Sequence, residues 1–149
     1  MASIHKEISL AAAPDAVWDV VRDVGAVHTR FAPGFVVGVA MGEGVRTVTF
    51  ANGLVADEVI VDLDDQARRL AYSVRSERLS HHNASFQVLA DGAGSRLVWI
   101  ADVLPHAAAE TVGAMMETGI AAAKAKLGEI AAQPAPAAGR TAEKGMGAA

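Results

Sequence analysis

Four side chains in this sequence could bring charge or acid–base chemistry into an apolar interior: Arg46, Glu58, Tyr72 and His82. Arg46 and Glu58 flank Ala51-Asn52-Gly53, which reads as a three-residue hairpin loop with glycine at its left-handed last position. Closing the hairpin there sets Phe50 opposite Leu54, Val48 opposite Ala56 and Arg46 opposite Glu58. Strand alternation then puts Arg46, Val48 and Phe50 on one face. A guanidinium and a carboxylate on an otherwise apolar face must pair, because a lone buried charge is costly. Two readings stand. The pair fixes strand register, or it anchors a ligand carboxylate, hydroxyl or carbonyl at the closed end of a pocket.

His82 is the candidate for proton transfer, since its reference pKa lies near neutrality. A histidine bonded in the core or sitting at a pocket mouth is the other reading. Tyr72 is the second catalytic candidate. Its hydroxyl either donates to a ligand carbonyl or reaches solvent from the end of a strand aromatic. Trp99 offers a flat wall for an aromatic ligand, or packs on a helix.

Other chemistries find no support. The sequence has no cysteine, which excludes disulfides, zinc thiolates and cysteine nucleophiles. His81 and His82 are strand neighbours and point to opposite faces, so they cannot chelate one ion. His5, His28 and His106 lack ligand spacing. Gly42-Glu43-Gly44 precedes no helix and does not read as a phosphate cradle. No Gly-x-Ser-x-Gly elbow occurs. Neither a metal nor a cofactor is expected. A net charge of −4 argues against nucleic-acid binding, which needs basic patches.

These side chains need elements to hold them. The 149 residues, 52% hydrophobic and 20% charged, suit one domain with a real core. Ile4–Leu10 alternates as a strand. Pro14 and Asp15 open a helix whose apolar face carries Val17, Trp18, Val20 and Val21, and a second short helix is expected over Val24–Arg30. Strands follow at Phe35–Ala40, Val45–Phe50, Leu54–Leu63, Arg69–Arg75, His82–Ala90 and Ser95–Leu104, joined by turns short enough to require antiparallel neighbours. Their inward faces would carry Leu70, Tyr72 and Val74; His82, Ala84, Phe86 and Val88; and Leu97, Trp99, Ala101 and Val103. Residues 107–130 predict a long helix with the stripe Val112, Met116, Ile120, Ala123, Leu127 and Ile130, widened by Met115. Gly113 and Gly119 in it suggest close backbone approach. The tail, 131–149, is rich in Ala, Pro and Gly and is expected to be disordered. No apolar run approaches a membrane span, and the segment Met1–Glu7 has no signal-peptide core, so a cytoplasmic location without integral membrane association is expected.

The order strand, two small helices, six strands, long helix is α+β. One helix cannot cover a curved sheet of six or seven strands completely, so a cavity between them is expected. This order resembles the START-like, or SRPBCC, superfamily with its helix-grip fold, and within it the small polyketide cyclase/dehydrase and lipid-transport proteins. The resemblance is carried over 1–130 by Pro14 with Val17-Trp18, Phe31-Ala32-Pro33-Gly34, Gly44-Val45-Arg46, Asp57-Glu58-Val59, Asp62-Leu63-Asp64-Asp65, Tyr72-Ser73-Val74 and Ser95-Arg96-Leu97-Val98-Trp99 running to Val103-Leu104-Pro105. It maps the family's pocket positions onto Glu58, His82 and Trp99.

A more distant likeness is to plant abscisic-acid receptors. The stretch from Glu58 to Asp65 is similar to their pocket strand, and Glu77-Arg78-Leu79-Ser80 to their latch loop, with Glu77 in place of the latch histidine. The gate loop is reduced to Ala51-Asn52-Gly53-Leu54 and lacks its proline.

The resulting expectation is a carrier of a small hydrophobic, aromatic or polycyclic molecule, bound by Arg46, Val48, Phe50, Glu58, Tyr72, His82, Phe86, Trp99 and Met116. The alternative is a polyketide cyclase or dehydratase acting on an aromatic precursor, in which Tyr72 or His82 moves protons and Arg46 holds an enolate. A third is an interaction module working through the loop Glu77–Ser80. The edge of the first strand is free to pair with a second copy, so a homodimer is compatible with the sequence.

Overall fold

A computed structural model of the protein describes residues 2–132. The segment 133–149, which holds nearly all of the expected disordered tail, lies outside the described residues. The chain forms β1 (Ser3–Leu10), α1 (Pro14–Val21), a π-helical turn (Val27–Phe31), β2 (Val36–Gly42), β3 (Val45–Phe50), β4 (Val55–Asp64), β5 (Arg69–Arg75), β6 (His81–Asp91), β7 (Gly94–Leu104), a 3-10 turn (His106–Ala108) and α2 (Ala109–Leu127). The strands make one antiparallel sheet in the order β1-β7-β6-β5-β4-β3-β2. β1 and β2 are its edges. The sheet curves around α2 in a helix-grip arrangement, and most of the core lies between the two.

The hairpin register follows the turn chemistry. Gly53 takes φ +89°, Phe50 N–H donates to the Leu54 carbonyl at 2.8 Å, and Asn52 Oδ1 accepts from Leu54 N–H at 3.0 Å. Arg46 therefore faces Glu58, and Val48 faces Ala56.

β4 carries a departure from simple alternation. Ile60 pairs with Tyr72 and Asp62 with Ala71, so the register shifts between them. Val61 and Asp62 both end up exposed, and the extra residue returns Leu63 to the inner face opposite Leu70. Without this bulge an aspartate would point into the core. A second shift between Val36 and Gly38 leaves Val37 exposed at the edge.

Helix α1 seals one end of the sheet. Its residues Val17, Trp18, Val20 and Val21 are buried. Trp18 Nε1 donates to Asp65 Oδ1 at 2.8 Å, and Arg22 holds the same carboxylate at 2.8 and 3.3 Å. These bonds tie α1 to the β4–β5 turn. The expected second short helix is present, over Val27–Phe31, as a π-helical turn. It sends Phe31 into the core, where its ring meets Phe86 edge-on at 5.1 Å.

Along α2 the buried residues are Met116, Gly119, Ile120, Ala123 and Leu127. Gly119 is the close approach: a Cβ there would stand 2.8 Å from Phe35 Cε2 and 3.1 Å from Trp99 Cζ3. Gly113 is different, with only the tip of Ile4 at 3.9 Å.

Candidate functional site

Packing divides the concave face into a filled part and a hollow part. The filled part begins with β5, β6 and β7, which align Tyr72, Phe86 and Trp99 in a stack. Centroids are 6.0 Å apart for Tyr72–Phe86 and 4.7 Å for Phe86–Trp99, with 22° between ring planes in both. Trp99 Nε1 donates to the Tyr72 hydroxyl oxygen at 3.0 Å. Burial pushes that hydroxyl's pKa far up, and the nearby Glu58 carboxylate adds to the shift. Tyr72 thus stays protonated.

The Arg46 guanidinium sits 5.3 Å above the Tyr72 ring. Its Nε donates to Glu58 Oε1 at 2.7 Å, and Nη1 to the Val24 carbonyl at 3.2 Å. Both members of the pair are buried, Arg46 at 4% and Glu58 at 7% exposure. Loss of water pushes the Glu58 pKa up, and the guanidinium's attraction reverses only part of that shift. A small space of about 40 Å³ lies against the pair, walled by Val48, Phe31, Phe86 and Leu70 among others. That is room for about one or two waters.

On the far side of Phe35, Trp99 and Glu58, which border both spaces, lies a cavity of about 1060 Å³. It is open to solvent between the β3–β4 hairpin, the loop 76–79 and the first half of α2. Phe50, Ala56 and Val74 come from the sheet, and Val112, Met115 and Met116 from the helix. Phe35 and Phe50 meet at 5.2 Å, tilted by 62°. Leu54 and Val55, at 41% and 62% exposure, lie at the rim. Arg75, Glu77 and Arg78 make the rest of the mouth polar.

His82 lines this cavity. Its Nδ1 is sealed and has no hydrogen-bond partner among the described residues, so only Nε2 can meet a ligand. Burial lowers its pKa, and the neighbouring His81 lowers it further. At neutral pH the ring is uncharged. Val74 stands between His82 and Glu58: it pairs with Glu58, and it follows Ser73, which pairs with Asn83. Two strand spacings, about 9.5 Å, therefore separate the backbones of Glu58 and His82.

The residues singled out from the sequence fall into three groups. Phe50, Glu58, His82, Trp99 and Met116 line the large cavity. Arg46, Val48 and Phe86 line the small space instead. Tyr72 lines neither; it is 3% exposed, stacks on Phe86, and its hydroxyl accepts from Trp99. Sequence reasoning missed Phe35, which reads as the first residue of a strand but projects from the turn before β2 into the nest left by Gly119. The loop 76–79, read from the sequence through Glu77–Ser80 as latch-like, borders the large cavity. The cavity-lining part of α2 was half visible, since Val112 and Met115 belong to the apolar stripe. Among the described residues no cluster of His, Asp or Glu could hold a metal ion.

A sheet that holds a long helix, with an open apolar cavity between them, is the architecture of a known group of proteins. The model of the polyketide cyclase / dehydrase and lipid transport family matches residues 1–132. The chain belongs to that family. Solved structures agree in fold. A protein from Thermobifida fusca is 25% identical with a TM-score of 0.71, covering 87% of this chain and 92% of its own. A START superfamily protein from Mycobacterium smegmatis is 12% identical with a TM-score of 0.67, over 85% of this chain and 94% of that one. A truncated norcoclaurine synthase from Thalictrum flavum is 21% identical with a TM-score of 0.62, over 85% and 90%. At those identities the last two show the fold alone. Comparison with curated proteins gives no match. Among the described residues no helix is long and apolar enough to cross a membrane.

Proposed function

We propose that this protein binds a small, largely apolar molecule with a flat aromatic or polycyclic body, and acts as its carrier. The observation that carries the reading is the cavity of about 1060 Å³ with aromatic and aliphatic walls and a single buried carboxyl, Glu58, at its floor. Apolar walls with few polar groups are what pockets for small molecules use to gain affinity and orientation together. Trp99 and Phe50 give the flat surfaces, and Met115 and Met116 adapt to irregular outlines. The rim residues Leu54 and Val55 extend the apolar path to the outside.

A second reading, cyclisation or dehydration of an aromatic precursor, draws on His82. Its uncharged ring, with Nε2 available in the cavity, could exchange a proton with a bound substrate. Such a reaction depends mainly on the folded shape imposed on the substrate.

Native mass spectrometry of the purified protein tests the carrier reading. An apolar adduct is expected, and it should disappear in Ala56→Trp, which fills the hollow from the inner face of β4. A protein that is empty and that takes up no apolar probe would overturn it. His82→Ala separates the two readings. A carrier keeps its adduct with an altered affinity, whereas turnover of a substrate collapses.

A further inference from the structure

The carrier reading leaves open what the polar end of the occupant must be, and the geometry of the cavity floor answers that question on the same premise. Glu58 borders both spaces. Its Oε1 is taken by Arg46 Nε. No described residue donates to Oε2, and that oxygen is absent from the sealed, unpartnered polar atoms of the described residues, which are His28 Nδ1, His82 Nδ1 and Arg96 Nε. Oε2 is therefore not sealed, and Glu58 is the member of the pair that borders the large cavity. Arg46 is placed differently. Its Nε serves Glu58 and its Nη1 the Val24 carbonyl, while Nη2 has no partner among the described residues; the residue borders the inner space and not the large cavity. Of the charged pair, a molecule that reaches the floor of the large cavity meets Glu58 and not Arg46.

We propose that the cavity selects molecules whose inner end is a hydrogen-bond donor, such as an aromatic alcohol, and rejects those whose inner end is a carboxylate. A hydroxyl donates to Oε2 and completes the coordination of a carboxylate that Arg46 already orients. Hydrogen bonds to an ionised acceptor are about twice as strong as neutral ones. A ligand carboxylate would bring a second anion to a floor that holds one guanidinium, where little water screens the repulsion. His82 adds no positive charge to offset it, because burial and the neighbouring His81 lower its pKa. Among the residues lining the large cavity, the cations are Arg75 and Arg78, both exposed at its mouth, where an anionic group is favoured. The selection therefore acts at the inner end of the molecule and leaves the outer end free to carry charge. Glu58 is the specificity-determining residue.

The test uses the full chain carrying Arg75→Gln and Arg78→Gln, so that no cation at the rim can hold an anion. Both positions are exposed, and the fold should not depend on them. The protein is titrated at pH 7 with 1-pyrenemethanol and with 1-pyrenecarboxylate, and binding is read from pyrene fluorescence. The alcohol is expected to bind at least about tenfold tighter. Adding Glu58→Gln leaves Arg46 without an anionic partner and should shrink that ratio or invert it. Equal or tighter binding of the carboxylate to the protein with Glu58 intact overturns the inference and leaves the carrier reading standing. A ratio unmoved by Glu58→Gln likewise overturns it. Failure of both probes to bind removes the carrier reading and the inference together. If Glu58→Gln does not fold, the comparison of the two probes with Glu58 intact decides alone.

Discussion

The two spaces on the concave face share Phe35, Trp99 and Glu58 as a common wall, yet one holds about 40 Å³ and the other about 1060 Å³. The difference lies in what covers each. Over the small space α1, the π-helical turn and the middle of α2 converge, and Val20, Val21, Val27 and Phe31 fill the gap left by the sheet. Over the large one there are only the 3-10 turn at Ala108, the first half of α2 with Thr111 and Val112, the loop 76–79 and a short hairpin. The sheet presents apolar residues to both. A hollow here is a deficit of covering side chains rather than a special property of the strands, and it costs little because its mouth is open and water can enter.

This contrast can be broken or sharpened by substitution. The largest effects belong to the filled side. Glu58→Leu strands the Arg46 charge in the interior and should cost about 3–5 kcal/mol in urea unfolding. Arg46→Met combined with Glu58→Leu should recover most of that loss, since an apolar replacement of a buried pair is often close to neutral. If the double variant is as unstable as the single one, the pair holds the fold in some way beyond its own charge balance. Phe86→Ala removes the middle ring of the stack and should cost about 3–5 kcal/mol.

Gly119→Ala tests the common wall. The new methyl group meets Phe35 at 2.8 Å, and overpacking of this kind costs about 1–3 kcal/mol. The gain of roughly 1 kcal/mol from removing a helical glycine offsets part of it. A net destabilisation of about 1 kcal/mol is expected in urea, and a variant more stable than the parent would show that Phe35 swings aside freely.

On the hollow side Met115→Ala should cost about 1 kcal/mol or less, because its side chain is only partly removed from water. A loss comparable to Phe86→Ala would mean that the cavity wall is packed like the core. The smallest effect is expected from His82. Its pKa is lowered in the folded protein, so the unfolded chain binds more protons below about pH 6.5. Stability should therefore fall as the pH drops through that range, and His82→Asn should flatten the slope. Glu58 acts with the opposite sign. Its folded pKa is raised, so its contribution to stability is present below the ordinary glutamate range and is lost as the pH rises from there. Unfolding free energies measured between pH 4 and 8 for the parent, His82→Asn and Glu58→Leu would separate the two slopes.

Much of the architecture was legible along the chain because its signals are local. The Ala51-Asn52-Gly53 turn fixed the pairing of Arg46 with Glu58, since glycine is the residue that adopts a left-handed φ at little cost. Alternation placed His82 and Trp99 on the inner face, and the spacing of Met116, Ile120, Ala123 and Leu127 gave the buried stripe of α2. The bulge at Val61-Asp62 was not legible, because it answers to the partner strand: Leu63 must reach Leu70.

The site divides in the same way. The sequence by itself determined which side chains turn inward, because backbone periodicity is set by neighbouring residues. Which of them meet open space was decided by tertiary structure alone. Tyr72 and Phe50 share an inward face in the sequence pattern, but one is closed in the core against Phe86 and the other lines the hollow. The same holds for the charged pair, where only Glu58 reaches the large cavity. Empty volume depends on how elements distant in the chain fit together, and no local pattern records what fails to cover a surface.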